Sequence, residues 1–308
     1  MRQHKSVFDN QIYLLVFIIV AISIIVTIVN PKFIQLDNIK NIFMQISIVS
    51  IMALGAGIVI ISGGLDISVG SMVSLLAVVC AWLINNGIPV AFSIIITVVV
   101  AIGCGFLNGI LSAKTRVSPF IITLGTMSIF SGLSLVVGQG HSWLLMGKFQ
   151  FLGRSKILDI HFPTYVMIII FLLGFVMLRY TITGRRIFSI GGSEEIAHLA
   201  GINVTKYKIL VYIINALLVC LASLILISRT GSALSTVGSG LELKAIAAAI
   251  IGGTSLLGGR GKVLGIFLGS LLLGVISNML NILNLSAHYQ YIILGWVIVA
   301  AVTLGRRK

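Results

Sequence analysis

The sequence is poor in charge and poorest in acids. Asp and Glu together number 7 against 21 Lys and Arg, and only 9% of the 308 residues are charged. A soluble domain carries about 25% charged residues because its surface must face water. This chain cannot clothe a globule of its length in polar surface, so lipid must be the solvent for most of it. Cysteine is scarce as well. Cys80, Cys104 and Cys220 lie inside apolar runs, with neither a metal-ligand spacing nor a disulfide framework, and they read as small buried hydrophobes. The sequence has no cluster of His, Asp or Glu and no nucleophile beside a base, so it nominates no catalytic residue and no metal site. It also lacks low-complexity tracts, long linkers and a second soluble stretch, and residues 1–308 read as one transmembrane domain.

What is abundant is apolar: 58% of the residues, with a mean hydropathy of +1.16. The runs reach about 20 residues, the length a helix needs to cross the hydrocarbon core. In lipid only helices and closed barrels satisfy every backbone polar group, and a barrel would show alternating segments of roughly ten residues instead. The sequence therefore predicts an all-α integral membrane protein with about ten transmembrane helices. They lie near 11–29, 42–62, 67–85, 89–113, 118–138, 163–181, 207–228, 242–258, 263–284 and 288–305. The first run follows Arg2 and Lys5 and has no small-x-small cleavage site, which predicts a retained span.

The net charge of +14 does not point to nucleic acid, because the basic residues stand singly or in pairs between apolar spans. Short cytoplasmic loops look this way under the positive-inside rule. With the N-terminus inside, fourteen of the 21 Lys and Arg fall on the cytoplasmic side, including Arg185, Arg186 and the closing Arg306-Arg307-Lys308. An even number of spans then predicts both termini in the cytoplasm. Two loops are long: an outer one near 139–162 and an inner one near 182–206.

The inner loop carries the most information. Gly191-Gly192 offers a flexible turn, and Ser193 followed by Glu194 and Glu195 resembles a helix start, where acids favour the dipole. Gly201 stands where that helix would end, just before Asn203. A short amphipathic helix of this kind either lies on the membrane surface or docks a cytoplasmic partner. Two adjacent acids suit an anionic leaflet poorly, which favours the partner.

The segment Gly63-Gly64-Leu65-Asp66 interrupts two apolar runs. Asp66 either caps the helix that follows, with Ser68 in its first turn, or marks a half-helix N-terminus facing a solute path. Polar residues inside apolar spans, among them Gln45, Asn108, Thr123, Thr126, Asn215 and Asn281, are candidates for lining such a path. Their hydroxyls and amides suit a sugar, and they serve equally as hydrogen bonds between helices. Small residues recur four apart, at Ala101, Gly105 and Gly109 and at Gly265 and Gly269, which predicts closely packed helices. Gly261-Lys262 mimics a phosphate loop, but Leu256 occupies the first glycine position and Val263 the required Ser or Thr. No nucleotide site follows.

Four segments together are similar to the permease subunits of bacterial ABC importers for monosaccharides, the ribose-type family. They are residues 184–204 around Gly191-Gly192-Ser193-Glu194-Glu195, residues 53–75 with Gly-Gly-Leu-Asp-Ile-Ser-Val-Gly-Ser, residues 118–133, and residues 242–283 with Gly-Gly-Thr-Ser-Leu-Leu-Gly-Gly-Arg-Gly. Ser193 and His198 depart from the usual pattern. The resemblance implies the permease fold in the bacterial inner membrane and a homodimer around one translocation path, surrounded by lipid. A cytoplasmic ATP-binding subunit would dock on the inner loop, and a periplasmic sugar-binding protein on the other side. It implies that Gly192, Glu194, Glu195, Gly201 and Asn203 couple the chain to the ATPase. Gly63, Gly64, Asp66, Ser68, Asn108, Thr123, Thr126 and Asn215 would belong to the path or its helix break. ATP and Mg would be held by the partner, with no cofactor on this chain and no enzymatic activity of its own. Ribose is the expected solute. An ABC permease for a non-sugar solute has similar architecture. A secondary transporter would need ionisable residues in its core, and only Asp66 and Glu242 come near that requirement.

Overall fold

The computed structural model describes residues 3–115, 117–286, 288–290, 292, 293, 295, 296 and 299. Its helices are α1 (Gln3–Val29), α2 (Leu36–Ile61), α3 (Val69–Asn85), α4 (Val90–Lys114), α5 (Pro119–Gly138), α6 (Phe151–Arg154), α7 (Phe162–Tyr180), α8 (Ile182–Gly192), α9 (Glu194–Leu199), α10 (Val204–Thr230), α11 (Leu241–Ile251) and α12 (Val263–Ile282). A 3-10 turn, Pro31–Ile34, joins α1 to α2. Four two-residue strands complete the described elements: β1 (Trp143–Leu144), β2 (Lys156–Ile157), β3 (Ile160–His161) and β4 (Ser232–Ala233).

All four prolines stand at helix starts, where a missing N–H costs nothing: Pro31, Pro89, Pro119 and Pro163. Gly231, at φ 76°, closes α10 in the left-handed conformation that favours glycine. Between such punctuation marks, seven described helices are long and apolar enough to cross a membrane. They correspond to the predicted spans except in three places. The span predicted at 67–85 is the 17-residue α3, and the one at 242–258 shortens to the 11-residue α11. Gly252 and Gly253 end α11, and residues 252–262 form a loop. The tenth predicted span, 288–305, lies largely outside the described residues, as do Arg2, Arg116 and the terminal Arg306-Arg307-Lys308.

Burial sorts the helices into a centre and a rim. The apolar window of α2 is 83% buried and that of α10 is 61%, against 11% for α1 and 22% for α5. The rim presents large apolar side chains outward, among them Phe17, Ile28, Val136 and Leu172. A soluble protein could not expose them in such number, whereas hydrocarbon accepts them. The one extended core runs through α2, α3, α10, α11 and α12. Where helices meet, small residues set the distance. A Cβ on Gly105 would stand 2.7 Å from the Tyr212 carbonyl oxygen and 2.8 Å from the Ile213 Cα, and one on Gly109 would stand 2.7 Å from the Ile209 Cα. Thus α4 lies backbone-on-backbone against α10. Gly265 and Gly269 do the same for α12 against Gly252 and Ala248 of α11. Both stripes therefore pack inside the subunit.

The two ends of the bundle differ. At one end β1 pairs with β4 and β2 with β3, and Arg154 Nε donates to the Arg229 carbonyl at 2.9 Å. Lys40 pairs with Asp159, which Lys156 also approaches at 3.5 Å. At the other end α8 and α9 form a helical hairpin. Between the ends, the stretch after β4 turns inward. Gly238 packs on the Gly70 carbonyl and donates its N–H to Ser74 Oγ at 2.9 Å. The Glu242 carboxylate lies against Gly70 while its Oε1 accepts from the Gly240 N–H at 3.1 Å. The N-termini of two short helices, α3 and α11, consequently meet inside the bundle. Discontinuous helices of this kind are tolerated at membrane depth only where protein covers them.

Two predictions follow from this packing. Gly105→Leu is expected to destabilise the fold by about 1–3 kcal/mol through overpacking. Gly103→Ala, where a Cβ meets nothing within 4 Å, is expected to stay within about 0.5 kcal/mol; thermal melts in detergent read both. The hydrogen bond and charge of Lys40, with Lys156 beside it, hold the Asp159 carboxyl below its ordinary value. The tie is complete at neutral pH and is lost as the pH falls through that depressed value. Asp159→Asn is expected to speed amide exchange over residues 155–161 at neutral pH by up to about threefold, an effect that disappears in high salt.

Candidate functional sites

The break between α2 and α3 is built from side chains of three other helices. Residues 64–67 belong to no helix or strand, so their backbone groups have no regular ladder to join. Gly64 N–H returns to the Val59 carbonyl at 3.0 Å. The Leu65 carbonyl accepts from Tyr212 Oη of α10 at 3.4 Å and lies 3.2 Å from Thr123 Oγ1 of α5. Ile67 N–H donates to that Thr123 oxygen at 3.3 Å. Each strand of this accounting comes from a different helix, which fixes the break in place.

Asp66 stands at its centre, only 2% exposed. Its Oδ1 accepts from the Ser68 N–H at 2.9 Å and the Ser68 hydroxyl at 2.6 Å, an Asx turn that leads into α3. Its Oδ2 accepts from Asn215 Nδ2 of α10 at 3.0 Å. Asn108 Nδ2 of α4 approaches both oxygens, at 3.5 and 3.4 Å, and donates to Ser68 Oγ at 2.8 Å. Asp66 does not cap α3 as one sequence alternative had it: the helix starts at Val69 with Ser68 as its N-cap, and Asp66 forms the Asx turn before it, completed by two amides from distant helices. Six residues separate Asn108 from the end of α4, so at 1.5 Å per residue the cluster sits about 9 Å in from that end.

Of the residues proposed for the path, Asp66, Ser68, Asn108, Thr123 and Asn215 thus gather into one buried hydrogen-bond cluster. Gly63 and Gly64 shape the break itself. Thr126 is buried on α5, with its hydroxyl 3.3 Å from the Thr123 carbonyl. None of them lines the cavity of about 500 Å³ that lies between α2, α12, the C-terminal end of α10 and the start of α11. Gln45, Ser277 and Asn281 face it together with Arg229 and Lys244. Sequence reading singled out Gln45 and Asn281. Arg229 and Lys244 escaped it because both stand at helix ends in sequence, where loop residues are expected, and only the inward turn of residues 231–240 places them on a cavity.

The α8–α9 hairpin is the second candidate. Thr181 caps α8 by accepting from the Gly184 N–H at 3.1 Å, and Ser193 caps α9 by accepting from the Ile196 N–H at 3.3 Å. Gly201, at φ 78°, ends the turn, and Asn203 Oδ1 caps α10 through the Lys206 N–H at 2.9 Å. Ser193 and Gly201 thus fill the helix-start and helix-end roles expected of them. Gly191 and Gly192 are not a flexible turn, however. They are the last residues of α8, because a glycine lets that helix end press directly on α2. A small core of Ile190, Ala197 and Tyr207 ties the hairpin to α10, and Arg186 stacks on the Tyr207 ring at 5.2 Å. Glu194 pairs with Lys208. Outward on α9 stand Ile196, 69% exposed, and Leu199, 80% exposed, with the exposed Glu194, Glu195 and His198 around them. A rigid base carrying an uncovered apolar pair is the geometry of an interface.

A bundle of apolar spans with a broken helix at its heart and a rigid hairpin at one end describes a membrane permease. The chain matches the family model described as the permease component of branched-chain amino acid transport systems over residues 38–302, and it belongs to that family. It is a multi-pass membrane protein. It is 41% identical to the ribose import permease protein of Bacillus subtilis (strain 168), over 92% of this chain and 89% of the relative. To the ribose import permease protein of Escherichia coli (strain K12) it is 39% identical, over 96% and 93%. The D-allose transport system permease protein of the same organism is 36% identical, over 94% and 90%. The resemblance to ribose-type permeases read from the four sequence segments is therefore borne out. No solved structure matches the chain.

Replacing Asp66 strands four donors, and a buried unsatisfied donor costs about 1–3 kcal/mol. Asp66→Ala is expected to lower stability by about 3 kcal/mol or more. Asp66→Asn keeps one acceptor oxygen and is expected to lose less than half as much. Equal losses in thermal melts of the two variants would show that the carboxylate does not organise the break.

Proposed function

We propose that this chain is the membrane-spanning subunit of an ATP-driven importer and that it forms the path for a monosaccharide, ribose first among the candidates. The observation that carries the reading is its identity with ribose import permeases over about nine-tenths of both chains. In this reading the chain makes ten spans with both termini in the cytoplasm, in the inner membrane of a bacterium. The α8–α9 hairpin faces the cytoplasm and docks a separate ATP-binding subunit through Ile196, Leu199 and Glu195, with Gly192, Glu194, Gly201 and Asn203 holding their geometry. ATP and Mg belong to that subunit, and this chain binds no cofactor and catalyses no reaction. A periplasmic sugar-binding protein delivers the solute to the strand-bearing end, and two copies of the permease enclose the path. The cavity between α2, α11 and α12 is of a size for a small solute. Its amides and hydroxyls supply the paired donors and acceptors that a sugar's hydroxyls need. Asp66, Asn108, Thr123 and Asn215 act behind the path, by keeping the break in register.

The family's description names branched-chain amino acids, which keeps a non-sugar solute as the second reading. Uptake distinguishes the two. Cells carrying the chain with its neighbouring transport genes are expected to accumulate labelled ribose in an ATP-dependent way and to leave leucine untouched; the reverse selectivity would favour the second reading. The docking role has its own test. A gently solubilised, tagged chain is expected to copurify an ATPase with a phosphate loop, and the Glu194→Lys, Glu195→Lys double variant to lose at least nine-tenths of it. Full recovery of the ATPase with that variant would move docking away from α9.

A further inference from the structure

Three segments far apart in sequence meet through glycines at the α8–α9 end. A Cβ on Gly191 would overlap the Ile61 carbonyl oxygen at the end of α2 and stand 2.5 Å from the Gly259 nitrogen. That carbonyl accepts the Gly259 N–H at 2.9 Å, tying the α11–α12 loop to α2. Gly258, at φ 81°, has its Cβ position 2.6 Å from the Gly191 carbonyl oxygen and 3.0 Å from the Gly63 Cα. The Cβ position of Gly259, at φ 68°, is 2.9 Å from the Gly192 Cα. These are backbone-on-backbone contacts, with no side chain between them to bend and absorb a displacement. In a close-packed interior a shift of one partner must move the others.

We infer that the contact among Gly63, Gly191, Gly258 and Gly259 is the joint through which the α8–α9 hairpin moves both the C-terminal end of α2, at Ile61–Gly63, and the α11–α12 loop. The inference rests on the reading of the hairpin as the ATPase-docking segment. The hairpin is stiff, because its own core binds α8, α9 and α10 into one body. Five residues beyond Ile61 lies Asp66, locked to α4 and α10, so a push at Ile61 reaches a fixed point rather than dissipating in a loose turn. On the other arm, the loop joins the end of α11, whose first turns carry Leu241 and Lys244 on the cavity, to α12, which carries Ser277 and Asn281 there. One contact thereby connects the docking surface to two walls of the bundle.

The test uses the complete complex, with ATPase and binding protein, in proteoliposomes with ribose as the solute. Gly191→Ala puts a methyl group into the joint and leaves α9 unchanged. Gly132→Ala, where a Cβ meets nothing within 4 Å, is the control. Gly191→Ala is expected to bind the ATPase at wild-type level and to hydrolyse ATP, while ribose moved per ATP falls at least tenfold; Gly132→Ala should stay within twofold. Folded Gly191→Ala with uptake within twofold of wild type would overturn the joint. Should the wild-type chain recruit no ATPase, the docking reading itself fails, and the joint's role with it. Should Gly191→Ala not accumulate, amide exchange on the wild-type complex decides. Residues 58–64 and 256–262 are expected to change protection at least fivefold on adding a non-hydrolysable ATP analogue, and no change there would overturn the joint.

Discussion

One carboxylate holds the centre of this protein together. Asp66 lies between two helices that would otherwise be joined by an unpaired segment at membrane depth. In hydrocarbon an unsatisfied backbone group costs several kcal/mol, so the break exists only because other helices complete it. Asp66 recruits Ser68 from its own turn, Asn108 from α4 and Asn215 from α10, while Thr123 and Tyr212 satisfy the flanking backbone. Five elements are thereby registered to one another at a single point. Burying an acid this way is expensive unless its lone pairs are filled, and here every oxygen has a donor.

The rest of the packing follows from the same shortage of driving force. Lipid gives helices no hydrophobic reason to associate, so contact must come from close approach and hydrogen bonds. Gly105 and Gly109 bring α4 onto α10 closely enough for Asn108, between them in sequence, to reach Asp66. The glycine stripe and the polar cluster are two aspects of one contact. At the C-terminal end of α2, five residues before Asp66, the principle recurs without polar side chains, with the glycines of three segments meeting beside Ile61.

Much of this was legible in the residues. Apolar run length located the seven long spans, and Ser193 and Gly201 announced their capping roles through ordinary helix-end chemistry, whereas the cap that Asn203 places on α10 appears only in the structure. The family resemblance rested on short, glycine-rich wording in which several glycines, Gly63, Gly70, Gly191, Gly258 and Gly259 among them, meet backbone. Two things were hidden. Run length alone overextended α11, because Leu256 and Leu257 continue the apolar pattern past the Gly252-Gly253 pair that ends the helix. And nothing local reveals that Asn108 and Asn215 share one partner 42 and 149 residues away. Polar residues inside apolar spans looked like path lining; several of them are structural bonds. The cavity walls, by contrast, include Arg229 and Lys244, whose placement depends on an inward-turning segment with no periodic signal of its own.

The central claim is that the Asp66 cluster is a fixed point about which the bundle works, rather than a moving part of the path. Structures of the assembled transporter with and without bound ATP test it most directly. The account predicts that Asp66 keeps its bonds to Ser68, Asn108 and Asn215 in both states, while the hairpin, Ile61–Gly63 and residues 258–259 shift together. An Asp66 that leaves this cluster in either state and turns toward the cavity would contradict it.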